Sequence, residues 1–240
     1  MQLNRKNQRP YDAMRPITIE CGYQKGPAGS VLISTGDTRV CCAASVEFRV
    51  PPWFPKERPG GWITAEYAML PGSTLTRSSR TRRGREEEIQ RLIGRSLRAT
   101  VELSKLPACT ITLDCDVIQA DAGTRCASIT GGFVALVLAL NTLRHQGHLA
   151  VWPQIQAVCA CSAVILSGEP LLDPDYVEDS SSEVDMNFVF TQSMDLVEVQ
   201  GTAEGTPFSF AQLNRLHDLA RRGAEICFAA QRVALGELMP

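Results

Sequence analysis

Leu113-Asp114-Cys115-Asp116-Val117-Ile118-Gln119-Ala120-Asp121-Ala122-Gly123-Thr124-Arg125 carries a strand into a helix through one tight turn. With the preceding Ile111-Thr112, its first residues alternate apolar and polar side chains as a half-buried strand does, and Ala127 to Leu143 is apolar on one helical face. Gly123 supplies the turn, and Thr124 reads as the helix cap. A helix start offers unpaired backbone N–H groups and the positive end of a dipole, to which Arg125 adds a planar, permanently charged fork. That combination suits a phosphate. An ordinary strand-to-helix turn with a solvated arginine is the competing reading.

Upstream, Arg15 to Cys21, Ser30 to Ser34 and Arg39 to Val46 read as strands, the last two joined as a hairpin through Thr35-Gly36-Asp37-Thr38. The segment from Val50 to Gly61, with Pro51, Pro52, Pro55, Pro59, Gly60 and Gly61, reads as a connection. Glu86 to Leu103 repeats apolar residues at Ile89, Leu92, Ile93, Leu97 and Val101, an amphipathic helix with Arg91, Arg95 and Arg98 on its other faces. Downstream come a helix over Ser128 to Leu143, strands over Gln156 to Leu166, Glu183 to Thr191 and Leu196 to Gln200, and a last helix over Phe208 to Leu235. Hairpins force antiparallel pairings within the sheets. The expected class is α+β, with two similar strand-and-helix halves in one domain over residues 1–240.

The nine cysteines, at positions 21, 41, 42, 109, 115, 126, 159, 161 and 227, show no C-x-x-C and no regular spacing. They read as reduced thiols packed as small hydrophobes, and no histidine lies at zinc-ligand spacing from a cysteine pair. The first ten residues lack the apolar core of a signal peptide, and no stretch approaches the apolar length of a membrane span, so the expectation is a cytoplasmic protein without a membrane partner. A formal net charge of −2 hides a sorting of charge by region. Arg77, Arg80, Arg82, Arg83 and Arg85 follow one another without an acid, whereas Asp173, Asp175, Glu178, Asp179, Glu183 and Asp185 follow without a base. A basic segment in an otherwise acidic chain points to a polyanion contact, with a solvated arginine-rich loop as the alternative.

Five collinear segments carry a family resemblance. Gly61 to Pro71 (GWITAEYAMLP), Glu88 to Arg95 (EIQRLIGR), Leu113 to Arg125, Val177 to Asn187 (VEDSSSEVDMN) and Glu198 to Gly205 (EVQGTAEG) resemble the bacterial ribonuclease PH family, in the family's order, and the likeness runs from about Arg15 to the last helix. It implies the ribonuclease PH fold, a hexameric ring and a phosphate-dependent 3′-to-5′ exoribonuclease that trims transfer-RNA precursors and releases nucleoside 5′-diphosphates. By the same resemblance phosphate is held by Arg85, Gly123, Thr124 and Arg125, while Asp179 and Asp185 support Mg²⁺ (or Mn²⁺) and the leaving group. Arg77, Arg80, Arg82 and Arg83 fall where the family grips RNA.

The residues make chemical sense on their own. Inorganic phosphate is already an anionic nucleophile, so the site needs cations around crowded oxygens rather than a histidine base. Asp179 and Asp185 suit either a water-bridged Mg²⁺ or protonation of the departing 3′ oxygen. Two departures stand out. Where the family reads Pro-Arg-Ser-Thr-His-Thr-Arg, this chain has Pro71-Gly72-Ser73-Thr74-Leu75-Thr76-Arg77, and the loop from Ser78 to Arg83 is shorter than the family's. They bear on transfer-RNA preference more than on phosphorolysis. A catalytically silent, RNA-binding ring subunit of the same fold is the alternative function; loss of Arg125 or Asp185 would favour it, and both are present.

Overall fold

A computed structural model describes residues 5–80 and 84–240. The first half forms a five-stranded sheet from β1 (Ile17–Cys21), β2 (Gly29–Thr35), β3 (Thr38–Glu47), β4 (Trp62–Met69) and β5 (Thr110–Gln119), in the order β1-β2-β3-β5-β4. The second forms a four-stranded sheet from β6 (Val158–Leu166), β7 (Glu169–Leu172), β8 (Val184–Thr191) and β9 (Leu196–Ala203), in the order β7-β6-β8-β9. All these pairings are antiparallel except β4 with β5, which α1 (Gly84–Arg98) joins as a crossover. The remaining helices are α2 (Thr124–His145), the short α3 (Tyr176–Ser180) and α4 (Phe210–Leu235).

β5 keeps the alternation of its sequence. Ile111, Leu113, Cys115 and Val117 are buried while the residues between them stay half-exposed, so one face turns to the core. β6 is buried along nearly its whole length because α2 and α4 both pack on it. α2 lies against β2, β3 and β5 of the first sheet and β6 of the second, and one hydrophobic cluster runs through both halves. Close approach demands small residues there: a Cβ on Gly29 would stand 2.2 Å from the Ala135 carbonyl oxygen.

That placement corrects two expectations. α2 is buried all round rather than on one face, from Phe133 to Val137 without a break. For the same reason it is long and apolar enough to cross a bilayer by length and composition, though most of it is enclosed within the protein. Its apolarity serves two sheets at once. α1 ends at Arg98 rather than near Leu103, because the Thr100 hydroxyl turns back to the Leu97 carbonyl (3.0 Å) and Val101 leaves to bridge Ile155. β4, β7 and α3 are elements that the periodicity reading did not assign. All nine cysteines are free thiols, and all but Cys21 are buried.

Candidate active site

The turn between β5 and α2 is built to leave a helix start open. Ala122 (φ 58°) and Gly123 (φ 66°) are both left-handed, a conformation that glycine tolerates and alanine adopts only when its neighbours hold it. Thr38, fully buried, does the holding. Its hydroxyl donates to the Ala122 carbonyl at 2.6 Å and accepts from the Asp121 N–H at 2.9 Å. Gly123, not Thr124, occupies the N-cap, and no side chain caps the first turn of α2. The expected cap has another partner: Thr124 Oγ1 lies 2.9 Å from the buried Tyr67 hydroxyl, which fixes its rotamer. No side chain therefore takes the backbone donors at the start of α2, an arrangement suited to an anion.

Asp179 stands in α3 and Asp185 in β8, and the structure brings both into the field of Arg85 and Arg125. Burial, and then the neighbouring Asp185, pushes the Asp179 carboxyl up to about 6, with Arg85 and Arg125 pulling the other way. Burial also raises Asp185, opposed first by Arg125 and then by Asn187, whose amide donates to the carboxyl at 3.5 Å. Arg85 is exposed at the first turn of α1. Arg125 is half-buried and donates to Gln200 Oε1 at 2.9 Å. Two cations and a helix start thus face two carboxyls whose ionisation is opposed by burial, an arrangement suited to charge building on phosphate oxygens.

Arg77 and Arg80 are exposed in the loop after β4, and Arg82 and Arg83 lie outside the described residues. The loop starts beside the turn between β5 and α2, since the Ala120 N–H donates to the Ser73 carbonyl at 2.8 Å. Gly72 is exposed, and a Cβ there would meet nothing within 4 Å.

An N-terminal clamp on the acid segment escaped the sequence reading. Arg15 binds Asp173 at 2.6 and 2.9 Å and also donates to the Asp121 carbonyl, so one guanidinium ties the turn between β5 and α2 to the acid-bearing segment. Arg5 makes a two-point contact with Glu178 at 2.7 and 2.9 Å, and Arg9 adds a bond to Glu178 at 3.0 Å. Burial alone would raise the Glu178 carboxyl, but its bonds to Arg5 and the Asp175 N–H hold it below the usual carboxylate range. Asp121 adds a second tie by accepting from the Tyr176 N–H at 3.0 Å. Asp173 and Glu178 of the acid cluster are therefore neutralised internally, which leaves Asp179 and Asp185 as the half-buried carboxyls of the segment outside the clamp. The signal in the sequence was the complement: arginines at 5, 9 and 15 with Asp12 as the one acid among them, and an acid run without a base.

Such a site, on two sheets that share a central helix, defines a phosphoryl-transfer enzyme. The chain matches the 3′ exoribonuclease family, domain 1, over residues 13–140 and domain 2 over residues 156–223. Ribonuclease PH of Syntrophomonas wolfei is 49% identical over 239 residues, covering 98% of this chain and 100% of that protein. Ribonuclease PH of Roseobacter denitrificans is 52% identical over 235 residues, covering 96% and 99%. The chain belongs to the ribonuclease PH family of 3′ exoribonucleases. Its activity is phosphorolytic removal of 3′ nucleotides in transfer-RNA processing, with inorganic phosphate as co-substrate. Among solved structures, an Archaeoglobus fulgidus exosome with RNA bound to the active site superposes with a TM-score of 0.78 at 20% identity, covering 92% of this chain and 89% of that one. An archaeal exosome core gives 0.73 at 20% identity, covering 95% and 88%. These two share the fold.

Proposed function

We propose that phosphate sits at the start of α2 between Arg85 and Arg125, with Gly123 and Thr124 supplying its cradle, and attacks the terminal phosphodiester of an RNA 3′ end. The phosphorus–3′ oxygen bond breaks as the new phosphorus–oxygen bond forms, a proton reaches the departing 3′ oxygen, and a nucleoside 5′-diphosphate leaves. The observation that carries this reading is the convergence of the two arginines on the two half-buried acids beside an uncapped helix start. The arginines neutralise charge on the attacking and transferred phosphates, and the Tyr67 to Thr124 contact holds the Thr124 hydroxyl in place for one of their oxygens.

Asp179 and Asp185 fit a divalent cation of the Mg²⁺ or Mn²⁺ type. Among the described residues no cluster of three or more acids, cysteines or histidines could hold a metal. Two carboxylates alone suit a hard cation that keeps its waters and takes the rest of its ligands from RNA phosphates. When bound, such an ion would supply positive charge to the leaving group. Burial and Asp185 raise the Asp179 carboxyl to about 6, close enough to neutral pH to suit either holding the cation or, when protonated, donating to the departing 3′ oxygen.

The substrates are transfer-RNA precursors and other 3′-tailed RNAs, gripped by Arg77, Arg80, Arg82 and Arg83. The chain acts as a single ribonuclease PH-type unit within a cytoplasmic homo-hexameric ring. A silent RNA-binding subunit would lack one of the charged groups, whereas all four are present and converge. The test is to incubate the protein with a 3′-tailed RNA, with and without phosphate. Diphosphates released only with phosphate support the reading, and RNA that is bound but never shortened would replace it with the silent alternative.

A further inference from the structure

A chain of polar contacts runs from the surface of α1 to Arg125. Arg95 grips Glu198 at 2.6 and 3.1 Å, Glu198 Oε1 accepts from Gln200 Nε2 at 3.2 Å, and Gln200 Oε1 accepts from Arg125 Nη1 at 2.9 Å. Glu198 and Gln200 lie two apart on β9 and so share a face. This edge strand of the second sheet thereby reaches helices of the first half.

We infer that Gln200 is a positioning residue for Arg125, fixing the guanidinium for phosphate before phosphate arrives; the inference rests on the assignment of Arg125 to the phosphate site. Glutamine suits the task in two ways. A carboxylate accepts and cannot donate, so Glu198 takes the amide Nε2 and leaves Oε1 to Arg125, which settles the orientation of the amide. The amide is also neutral. It orders the arginine without cancelling the charge that phosphate needs, whereas a carboxylate in its place would compete with the ligand. Glu88, the acid that forms an ion pair with Arg125, stands farther off at 3.7 Å and is exposed. Arg95 and Glu198 hold the amide and need no contact with substrate.

The test is steady-state kinetics with a short unstructured RNA at varied phosphate, on Gln200→Met and Gln200→Glu. Methionine keeps the length and removes the strong acceptor, leaving phosphate to immobilise a free arginine, so its KM should rise about three- to tenfold. Glutamate adds a charge beside Arg125 and should raise it further, by more than about tenfold. In the methionine variant kcat at saturating phosphate, KM for RNA and the melting temperature should stay near the parent's, a split that loss of packing would not give. Arg125→Ala is measured alongside. If its phosphate KM matches the parent's, the phosphate site itself is wrongly placed. If it rises while both folded Gln200 variants keep the parent's phosphate KM, or lose kcat alone, only the role of Gln200 is overturned. Should the methionine variant fail to fold, the glutamate variant decides.

Discussion

Replacing Asp179 by asparagine should make the protein more stable and nearly inactive. Burial and Asp185 raise this carboxyl from 3.8 to about 6. A raised folded-state pKa means that stability is fully present below the unfolded value and is lost as pH rises through about 6, because the unfolded chain ionises the group more readily. The difference between those values corresponds to about 3 kcal/mol before screening. Partial exposure reduces this to about 1–2 kcal/mol. Asparagine keeps the shape and has no charge to bury, so at pH 8 the variant should melt about 2–8 °C above the parent. At pH 4 the two should nearly coincide. The assay is thermal unfolding of both proteins from pH 4 to 8 in a phosphate-free buffer with a chelator, so that no ligand of the folded state shifts the comparison. Adding Mg²⁺ at pH 8 should raise the parent's melting temperature more than the variant's. An Asp179→Asn protein no more stable at pH 8 than at pH 4, relative to the parent, would show that burial does not oppose this charge.

Arg85→Ala and Arg125→Ala should each lower turnover by about 10²-fold or more at fixed phosphate, because each removes a preorganised cation; single-turnover rates on purified, folded variants check it. Arg5→Ala leaves Glu178 buried without its two-point partner and should cost about 3–5 kcal/mol of stability, read in denaturant unfolding. Gly72→Arg adds a cation in open space beside the RNA loop, so precursor transfer RNA should bind more tightly with a salt slope steeper by about one unit, and short RNA much less so; equal gains would mean that position 72 does not face the transfer-RNA body. Light scattering should give a hexamer, and a stable, active monomer would refute the proposed ring.

Periodicity exposed the elements whose burial is one-sided. β5 alternates and α1 carries one apolar face, and both formed close to the expected positions. It misled where burial is two-sided, since α2 packs between sheets and its all-round apolarity reads equally as a narrower face or a membrane span. β7 and α3 span only Glu169–Leu172 and Tyr176–Ser180, too short for a period to register. At the candidate site, the residues proposed for the chemistry were singled out by the turn and the collinear motifs. Their supports were not. Arg15 lies 158 positions from Asp173, and nothing local to either marks the pair. Thr38 and Tyr67 likewise act through contacts that only folding creates, on Ala122 and Thr124.

The central claim is that phosphate, not water, breaks the RNA chain at this site. Running the reaction in ¹⁸O-labelled inorganic phosphate and resolving the released nucleotides by mass tests it most directly. Nucleoside diphosphates carrying the label on the β-phosphate, formed by the parent and lost in Arg125→Ala, are the expected result. Unlabelled nucleoside monophosphates would mean that water is the nucleophile and would contradict the account.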